Sequence, residues 1–174
     1  EQTSPATNVQ LVSDDLDFGL TADRLVGLRF TGLDIPVGAT VTSAFIEFQS
    51  KGNFSAASDL AFAIQDTTNA APYAQGDDRI AQRNYFNQTA AWTPTNWVAG
   101  ATYQSPDLAT LITALIAEDG LATGDAISFK INGTGQRSAW SFDSSGEAPK
   151  LIVNYETTAP NDPPIAADDT AATD

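Results

Sequence analysis

Apolar residues recur at every second position in five separate stretches of this chain, and that spacing limits the folds open to it. In the stretch 41–48, Ala44, Ile46 and Phe48 share one face, and mostly polar residues take the other. Successive side chains of a β-strand point to opposite faces, so this alternation predicts half-buried antiparallel strands. The pattern recurs at 28–30, 60–64, 127–131 and 151–155, with weaker versions near 9–18 and 137–142.

Residues typical of turns separate these stretches. The sequence Asp-Ile-Pro-Val-Gly occupies 34–38, a Gly-Asp pair precedes the stretch at 127–131, and an Asn-Gly pair follows it. Such residues favour the tight reversals that join antiparallel strands. We therefore predict an all-β fold, an antiparallel β-sandwich of the jelly-roll type.

One segment departs from the two-residue period. Its apolar residues recur at spacings of three and four, which is typical of a helix with one buried face: Leu108, Leu111, Ile112, Leu115 and Ile116. Ser105 is a candidate N-cap, followed by Pro106 at the first helical position and Asp107 in the first turn, and Gly120 ends the pattern. We expect one short α-helix of about three turns that covers an end or an edge of the sandwich.

The length of 174 residues suits one domain with flanking segments. We expect residues 1–8 to be disordered or a linker, residues 9–156 to form the sandwich, and residues 157–174 to form a Pro/Asp-rich linker to a following repeat. The last segment contains three prolines and four acidic residues, no basic residue and no apolar periodicity. Because the chain starts at Glu1, we expect it to be a processed or excised piece of a longer protein.

Missing residue types exclude several classes of chemistry. The chain contains no cysteine, which excludes disulfides and thiol nucleophiles, and no histidine, which removes the commonest general base and most transition-metal sites. Carboxylate, lysine and tyrosine chemistry remain, but no pair of such groups stands at a spacing that indicates a catalytic role. No apolar run is long enough to span a bilayer. We predict that the chain is not an enzyme and does not insert into a membrane.

The charge is strongly acidic, with 8 basic and 22 acidic residues and a net charge of −14. Such a charge repels nucleic acids and anionic membrane surfaces, so we expect neither as a partner. Without the four acids of the segment 157–174, the remainder still carries ten excess negative charges. Solubility explains this charge, and binding of a hard cation such as Ca²⁺ through oxygen ligands is compatible with it.

The stretch 26–48, VGLRFTGLDIPVGATVTSAFIEF, resembles a recurring module of secreted bacterial proteins. It is similar to jelly-roll modules of the DNRLRE kind and to related carbohydrate-binding modules of multidomain polysaccharide-degrading enzymes, with shorter matches at 91–97, 105–108 and 135–143. The sequence NDPPIAADDT at 161–170 resembles the opening of a bacterial cadherin-like repeat. The resemblance implies a secreted, extracellular module that sits beside other domains of the same chain.

The segment 70–92 carries the residues that we expect to bind a sugar: Tyr73, Arg79, Arg83, Asn84, Tyr85 and Phe86. Aromatic rings stack on the apolar faces of sugars, and guanidinium and amide groups donate to hydroxyls. The competing interpretation is an ordinary surface loop whose aromatic residues anchor it to the core. Trp140 joins the candidate site if its strand turns it outward, and both orientations remain open. For Trp92 and Trp97 we expect a packing role around the helix.

A second group of candidates consists of acids. Asp15 and Asp17 share one face of the predicted first strand. The resemblance implies a structural Ca²⁺ between the first strand, a neighbouring loop and the last strands, where Asp143 and Glu147 would complete the ligand set. Calcium takes six to eight oxygens, so a few acids and backbone carbonyls suffice. The sequence contains no EF-hand spacing.

These observations favour a non-catalytic carbohydrate-binding module that targets an extracellular multidomain protein to a polysaccharide. The negative charge favours a neutral or weakly charged glycan, such as a marine galactan. The alternative is a structural or adhesive spacer domain of a large bacterial surface or secreted protein, stabilised by calcium and without sugar binding. Replacement of Arg79, Arg83 or Tyr85 by alanine would weaken sugar binding under the first hypothesis only.

Overall fold

The computed structural model describes residues 1–3, 9–36, 38–75, 79–119, 121–144 and 148–157. These residues form antiparallel β-sheets and one α-helix, which confirms the predicted all-β sandwich. Within these ranges, no helix has the length and apolar character that a membrane crossing requires.

The described part of the chain contains ten strands, and their bounds are β1 Gln2–Thr3, β2 Asp15–Phe18, β3 Arg24–Phe30, β4 Thr40–Gln49, β5 Asp59–Ile64, β6 Ala90–Trp92, β7 Thr102–Gln104, β8 Ile127–Thr134, β9 Arg137–Trp140 and β10 Lys150–Glu156. A 3₁₀ turn spans Ile80–Gln82, and helix α1 spans Ala109–Asp119. The largest sheet has the order β1-β3-β8-β5-β6, a second has the order β10-β4-β7, and β2 pairs with β9. An isolated bridge between Ser50 and Ala139 connects the end of β4 to β9.

The inner faces of the sheets form the core, as the alternation predicts. Ala44, Ile46 and Phe48 of β4 are fully buried, and so are Phe62 and Ile64 of β5. Full burial of one such large apolar side chain contributes about 1.5–3 kcal/mol, so the period-two pattern is the main source of stability. Strands β6 and β7 have three residues each, too few for alternation to reveal them from sequence.

An aromatic cluster fills the part of the core near β2. The Phe18 ring meets the Phe48 ring edge-on at 5.2 Å, and the Trp97 ring stacks on Tyr103 at 4.9 Å. Trp92 packs between them, 5.7 Å from Phe48 and 5.9 Å from Trp97. Both tryptophans are buried, which confirms their packing role, and the rings that they contact lie outside the helix.

Helix α1 begins later than the sequence pattern indicates, and Asp107 caps it. The Asp107 Oδ1 atom accepts hydrogen bonds from the backbone N–H groups of Ala109 and Ala44, each at 2.9 Å. The prediction of Ser105 as N-cap is wrong because this residue extends the pairing of β7 with β4. Its N–H donates to the carbonyl of Ile46 at 2.9 Å, and its Oγ accepts from the Ile46 N–H at 2.9 Å.

The apolar face of α1 enters the core, where Leu111, Ile112 and Leu115 are buried. The helix packs on β4 and β5, which are inner strands of two different sheets. It therefore closes the space between the two sheets.

The beginning of the chain differs from the expected linker over residues 1–3. Gln2 pairs with Leu25 and Thr3 with Arg24, so β1 is an edge strand of the largest sheet. The Glu1 carboxylate lies 2.6 Å from the Arg24 guanidinium. Two strand residues are too few to show a periodicity, and their pairing depends on this ion pair and on the partner strand. Residues 4–8 and 158–174, the rest of the expected linkers, lie outside the described residues.

Arg137 of β9 holds two loops against the sheet. The side chain is only 1% exposed. It donates five hydrogen bonds of 2.7–3.2 Å to the carbonyls of Ala56, Pro94, Thr95 and Gln136. A planar guanidinium with five donors is the side chain suited to this arrangement. The carbonyls belong to the loop after β4, the loop after β6 and the turn before β9.

We expect Arg137→Met to destabilise the fold by about 3 kcal/mol or more, because it leaves several buried carbonyls without donors. Arg137→Lys keeps the charge but loses the fork of donors, and should fall between the wild type and Arg137→Met. Urea unfolding followed by tryptophan fluorescence measures the effect. Lys150→Met, at an exposed position, is the matched control and should stay within about 0.5 kcal/mol of wild type. Equal unfolding midpoints for Arg137→Met and the control would contradict this role of Arg137.

Candidate functional site

The segment between β5 and β6 folds back over the outer face of the largest sheet. The Arg29 Nε atom donates to the carbonyl of Ala70 at 2.6 Å, which fixes the start of the segment. The Tyr73 hydroxyl then bonds to the hydroxyl of Ser128 and donates to the carbonyl of Phe129 at 3.2 Å. The Tyr73 ring rests on Gly27, where an added Cβ atom would lie 2.5 Å from a ring carbon. Two small residues, Gly27 on β3 and Ser128 on β8, thus leave space for the Tyr73 ring.

Arg83 stabilises the same segment through three hydrogen bonds. Its Nη1 atom donates to the Oε1 of Gln65 at 2.9 Å and to the carbonyl of Ala71 at 2.8 Å, and its Nη2 atom donates to the carbonyl of Pro72 at 2.7 Å. The guanidinium carbon lies 4.0 Å from the centroid of the Tyr73 ring. A cation at this distance from an aromatic face is attracted to it.

Tyr85 anchors the far end of the segment. Its hydroxyl donates to the carbonyl of Ile80 at 2.9 Å, and the Lys130 Nζ atom lies 4.2 Å from the centre of its ring. Burial raises the pKa of Tyr85 well above its ordinary value and lowers the pKa of Lys130. Phe86 packs against the core, and its N–H donates to the carbonyl of Ile64 at 3.1 Å.

Several of the residues predicted to bind a sugar therefore make contacts within the fold. The contacts of Arg83, Tyr85 and Phe86 are those of the competing interpretation, in which the segment is anchored to the sheet. The Asn84 side chain is exposed. The Arg79 Nε atom is buried and has no hydrogen-bond partner among the described residues.

We expect Gly27→Ala to destabilise the protein by about 1–3 kcal/mol, because the new methyl group overlaps the Tyr73 ring. The cost should fall close to zero in a Tyr73→Ala background, where the ring is absent. Urea unfolding of the four proteins in this double-mutant cycle measures the coupling between the two positions. Equal costs of Gly27→Ala in both backgrounds would show that Tyr73 does not rest on Gly27.

The acids of β2 lie on one outward face, as the sequence predicts, and each faces a cation. The Asp15 Oδ2 atom lies 2.9 Å from Lys51 Nζ, and its Oδ1 atom accepts from the Ser13 hydroxyl at 2.7 Å. Lys51 also contacts the Asp14 carboxylate at 3.0 Å. The Asp17 carboxylate lies 3.9 Å from the Arg24 guanidinium.

The calcium site that the resemblance implies stays a prediction, because part of its ligand set lies outside the described residues. Asp143 is exposed, and Glu147 lies outside the described residues. Within the part of the chain that the structure describes, no group of three or more acidic side chains is arranged to hold a metal ion. Lys51, a residue without any signal in the sequence, is the charge partner of Asp15.

The ion pair of Asp15 and Lys51 predicts a measurable pKa change. Partial burial raises the pKa of Asp15, but hydrogen bonds from Lys51 and Ser13 outweigh it and bring the pKa below the ordinary value of 3.8. A folded-state pKa below the unfolded one stabilises the protein above about pH 4, and this contribution is lost as the pH falls through the folded-state value. Because solvent screens the pair, we expect its contribution to stability to be small.

We expect Lys51→Met to raise the pKa of Asp15, measured by NMR titration of its carboxyl carbon. The variant should also show a smaller decrease in the free energy of unfolding as the pH falls below about 4. Lys150→Met removes the same charge elsewhere on the surface and should leave the pKa of Asp15 unchanged. An unchanged Asp15 pKa in Lys51→Met would exclude the pair in solution.

The structure resolves the orientation of Trp140. Ala139 and Ser141 are buried, so Trp140 and Phe142 take the solvent side. Phe142 is 84% exposed, and the Lys51 Nζ atom lies 4.8 Å from the centre of the Trp140 ring. Trp140 stands directly opposite Asp15 in the β2–β9 ladder. An aromatic ring, an amine and a carboxylate therefore share one surface.

A cavity of about 550 Å³ lies beside this surface, between β2, β3 and the segment that follows β9. Three of the predicted site residues line it, and these are Tyr73, Asp15 and Asp143. Phe142, which was not predicted as a site residue, lies at its rim. The predicted residues that do not line it are Arg79, Arg83, Asn84, Tyr85, Phe86, Asp17 and Trp140. Sequence reasoning missed Phe142 as a site residue because alternation alone does not tell which face of β9 is buried.

Comparison with known protein families finds no match to this chain, and neither does comparison with curated proteins.

Proposed function

We propose that this chain is a non-catalytic carbohydrate-binding module, which holds an extracellular multidomain protein against a polysaccharide at the cavity beside Phe142. The observation that carries the proposal is the position of Phe142, 84% exposed at the rim of a cavity of about 550 Å³. A large apolar ring gains no burial in such a position, and its contact with a ligand would remove apolar surface from water. The volume lies within the range of small-molecule sites.

The cavity combines the two kinds of surface that a sugar requires. Leu28 and Phe30 of β3 supply apolar wall, and Asp15 and Asp143 supply carboxylate acceptors for hydroxyl groups. Trp140, opposite Asp15, extends the aromatic surface beyond the cavity. A polymer longer than the cavity would therefore meet a second ring.

The charges around the cavity favour a neutral or weakly charged polysaccharide. Glu1, Asp15 and Asp143 line it together with one guanidinium, that of Arg29, and the whole chain carries a net charge of −14. Lys51 is the nearest amine to Trp140, and it is held by two carboxylates. A sulfated or carboxylated chain would meet net repulsion at this surface.

The ion pair of Asp15 makes this carboxyl group unsuited to the cleavage of a glycosidic bond. A glycosidase needs a protonated carboxyl group to protonate the leaving oxygen. The pKa of Asp15 is lowered by its hydrogen bonds, against the effect of its partial burial, so this carboxyl is ionised at neutral pH. It is also paired with Lys51 and is therefore unsuited to act as the acid.

The test is isothermal titration of residues 1–174 with a panel of soluble neutral and anionic polysaccharides, in calcium and in chelator. We expect saturable binding to a neutral class. Phe142→Ala should weaken it about tenfold with an unchanged melting temperature, and Trp140→Ala should weaken it by a smaller factor. Tyr155→Ala removes an exposed aromatic residue from a different sheet and should bind like wild type.

Absence of binding across the panel would contradict the proposal. With a calcium-dependent rise in melting temperature, that result would favour the spacer domain instead. Equal losses in Phe142→Ala and Tyr155→Ala would place the sugar elsewhere.

A further inference from the structure

The edges of the two larger sheets differ in length. Strands β1, β6 and β7 end their sheets with two or three residues each, whereas β10 ends the three-stranded sheet with seven. Among the described residues, β10 pairs with β4 alone. An edge strand presents unpaired N–H and C=O groups, and proteins usually shorten or charge such edges. The β10 edge is therefore the one best suited to accept another strand among the edges of these two sheets.

The composition of β10 also suits pairing. Its inner residues, 151–155, include no charge, no proline and no glycine. Ile152 is 38% exposed and Tyr155 is 37% exposed. β-branched and aromatic residues favour strand pairing, and a protective charge in the middle of the strand is absent.

The two charged residues of β10 stand at its ends, Lys150 at the first position and Glu156 at the last. If two copies pair in antiparallel fashion with Val153 opposite its own copy, each Lys150 stands opposite the other copy's Glu156. Both residues are exposed. The register shift between Asn154 and Tyr155 puts the extra residue, Thr42, on β4, so β10 keeps its two-residue period and an even separation places Lys150 and Glu156 on one face. Opposite charges at directly opposed positions stabilise a strand pair, and two-fold symmetry provides this contact twice.

We propose that the free edge of β10 pairs with β10 of a second copy of this chain, which joins two three-stranded sheets into one six-stranded antiparallel sheet. The occupant is a second copy because the strand is complementary in charge to itself in this register. The pairing does not depend on sugar binding.

The net charge of −14 opposes association at long range, so the dimer should be weak and should form best at ionic strengths that screen this repulsion. Sedimentation equilibrium of residues 1–174 at about 150 mM salt, from about 10 µM to about 1 mM, should show a monomer–dimer equilibrium. A single monomeric species over the whole range would overturn the proposal.

Charge reversal then identifies the surface. Lys150→Glu and Glu156→Lys should each weaken the homodimer about tenfold or more, because like charges then face each other at both ends. The double variant Lys150→Glu/Glu156→Lys should restore it. An equimolar mixture of the two single variants should form a heterodimer, since one strand then has two acidic ends and the other two basic ends.

The double variant distinguishes a contact between two copies from an effect within one chain. Lys150 stands opposite Glu47 within the sheet, so Lys150→Glu adds a repulsion inside the monomer. That repulsion is identical in the double variant, and restored association therefore reports the contact between copies. Asp66→Lys changes the net charge as Glu156→Lys does, at an exposed site outside β10, and should not weaken the dimer. A dimer that is indifferent to both reversals, or one that the double variant fails to restore, would also overturn the proposal.

Discussion

The buried guanidinium of Arg137 is the interaction on which the arrangement around the candidate site depends. A charge removed from water costs several kcal/mol unless every donor is satisfied. Here five hydrogen bonds to backbone carbonyls replace the lost water. Because the carbonyls come from loops after β4 and β6, the same side chain fixes the position of β9 relative to Trp97, which lies in the second of these loops. The position of β9 in turn determines where the rings of Trp140 and Phe142 lie.

The position of β9 then determines which residues meet. Its pairing with β2 places Asp15 opposite Trp140, and the Lys51 N–H donates to the carbonyl of Ser138 at 2.9 Å. Backbone hydrogen bonds thus bring together three residues that are far apart in sequence. The side-chain contacts of Lys51 with Asp15 and with the Trp140 ring are consequences of that pairing.

Sequence reasoning predicted the elements whose residues carry a long periodic signal. Strands β4, β5 and β8 and helix α1 are of this kind, and so is the shared face of Asp15 and Asp17. Strands β1, β6 and β7, of two or three residues each, were not predicted, since their place depends on the partner strand rather than on their own residues. Composition could not assign the segment 70–86, because arginine and tyrosine serve equally well to bind a sugar and to hold a loop. The contacts of Arg83 with Gln65 and the carbonyls of Ala71 and Pro72 distinguish the two uses.

The small number of basic residues bears on both proposed surfaces, the cavity beside Phe142 and the edge of β10. Of the eight, five donate to carbonyl or carboxylate groups of the chain, and these are Arg24, Arg29, Lys51, Arg83 and Arg137. Lys130 lies against the Tyr85 ring. Of these cations, Arg29 lines the cavity together with the acids Glu1, Asp15 and Asp143. The acids therefore outnumber the cations at this surface, which agrees with the proposed uncharged polymer. Lys150 differs, since it is exposed at the start of the longest edge strand and no ion pair among the described residues engages it. A basic residue in that position has an acidic partner available when a second β10 strand brings Glu156 to it.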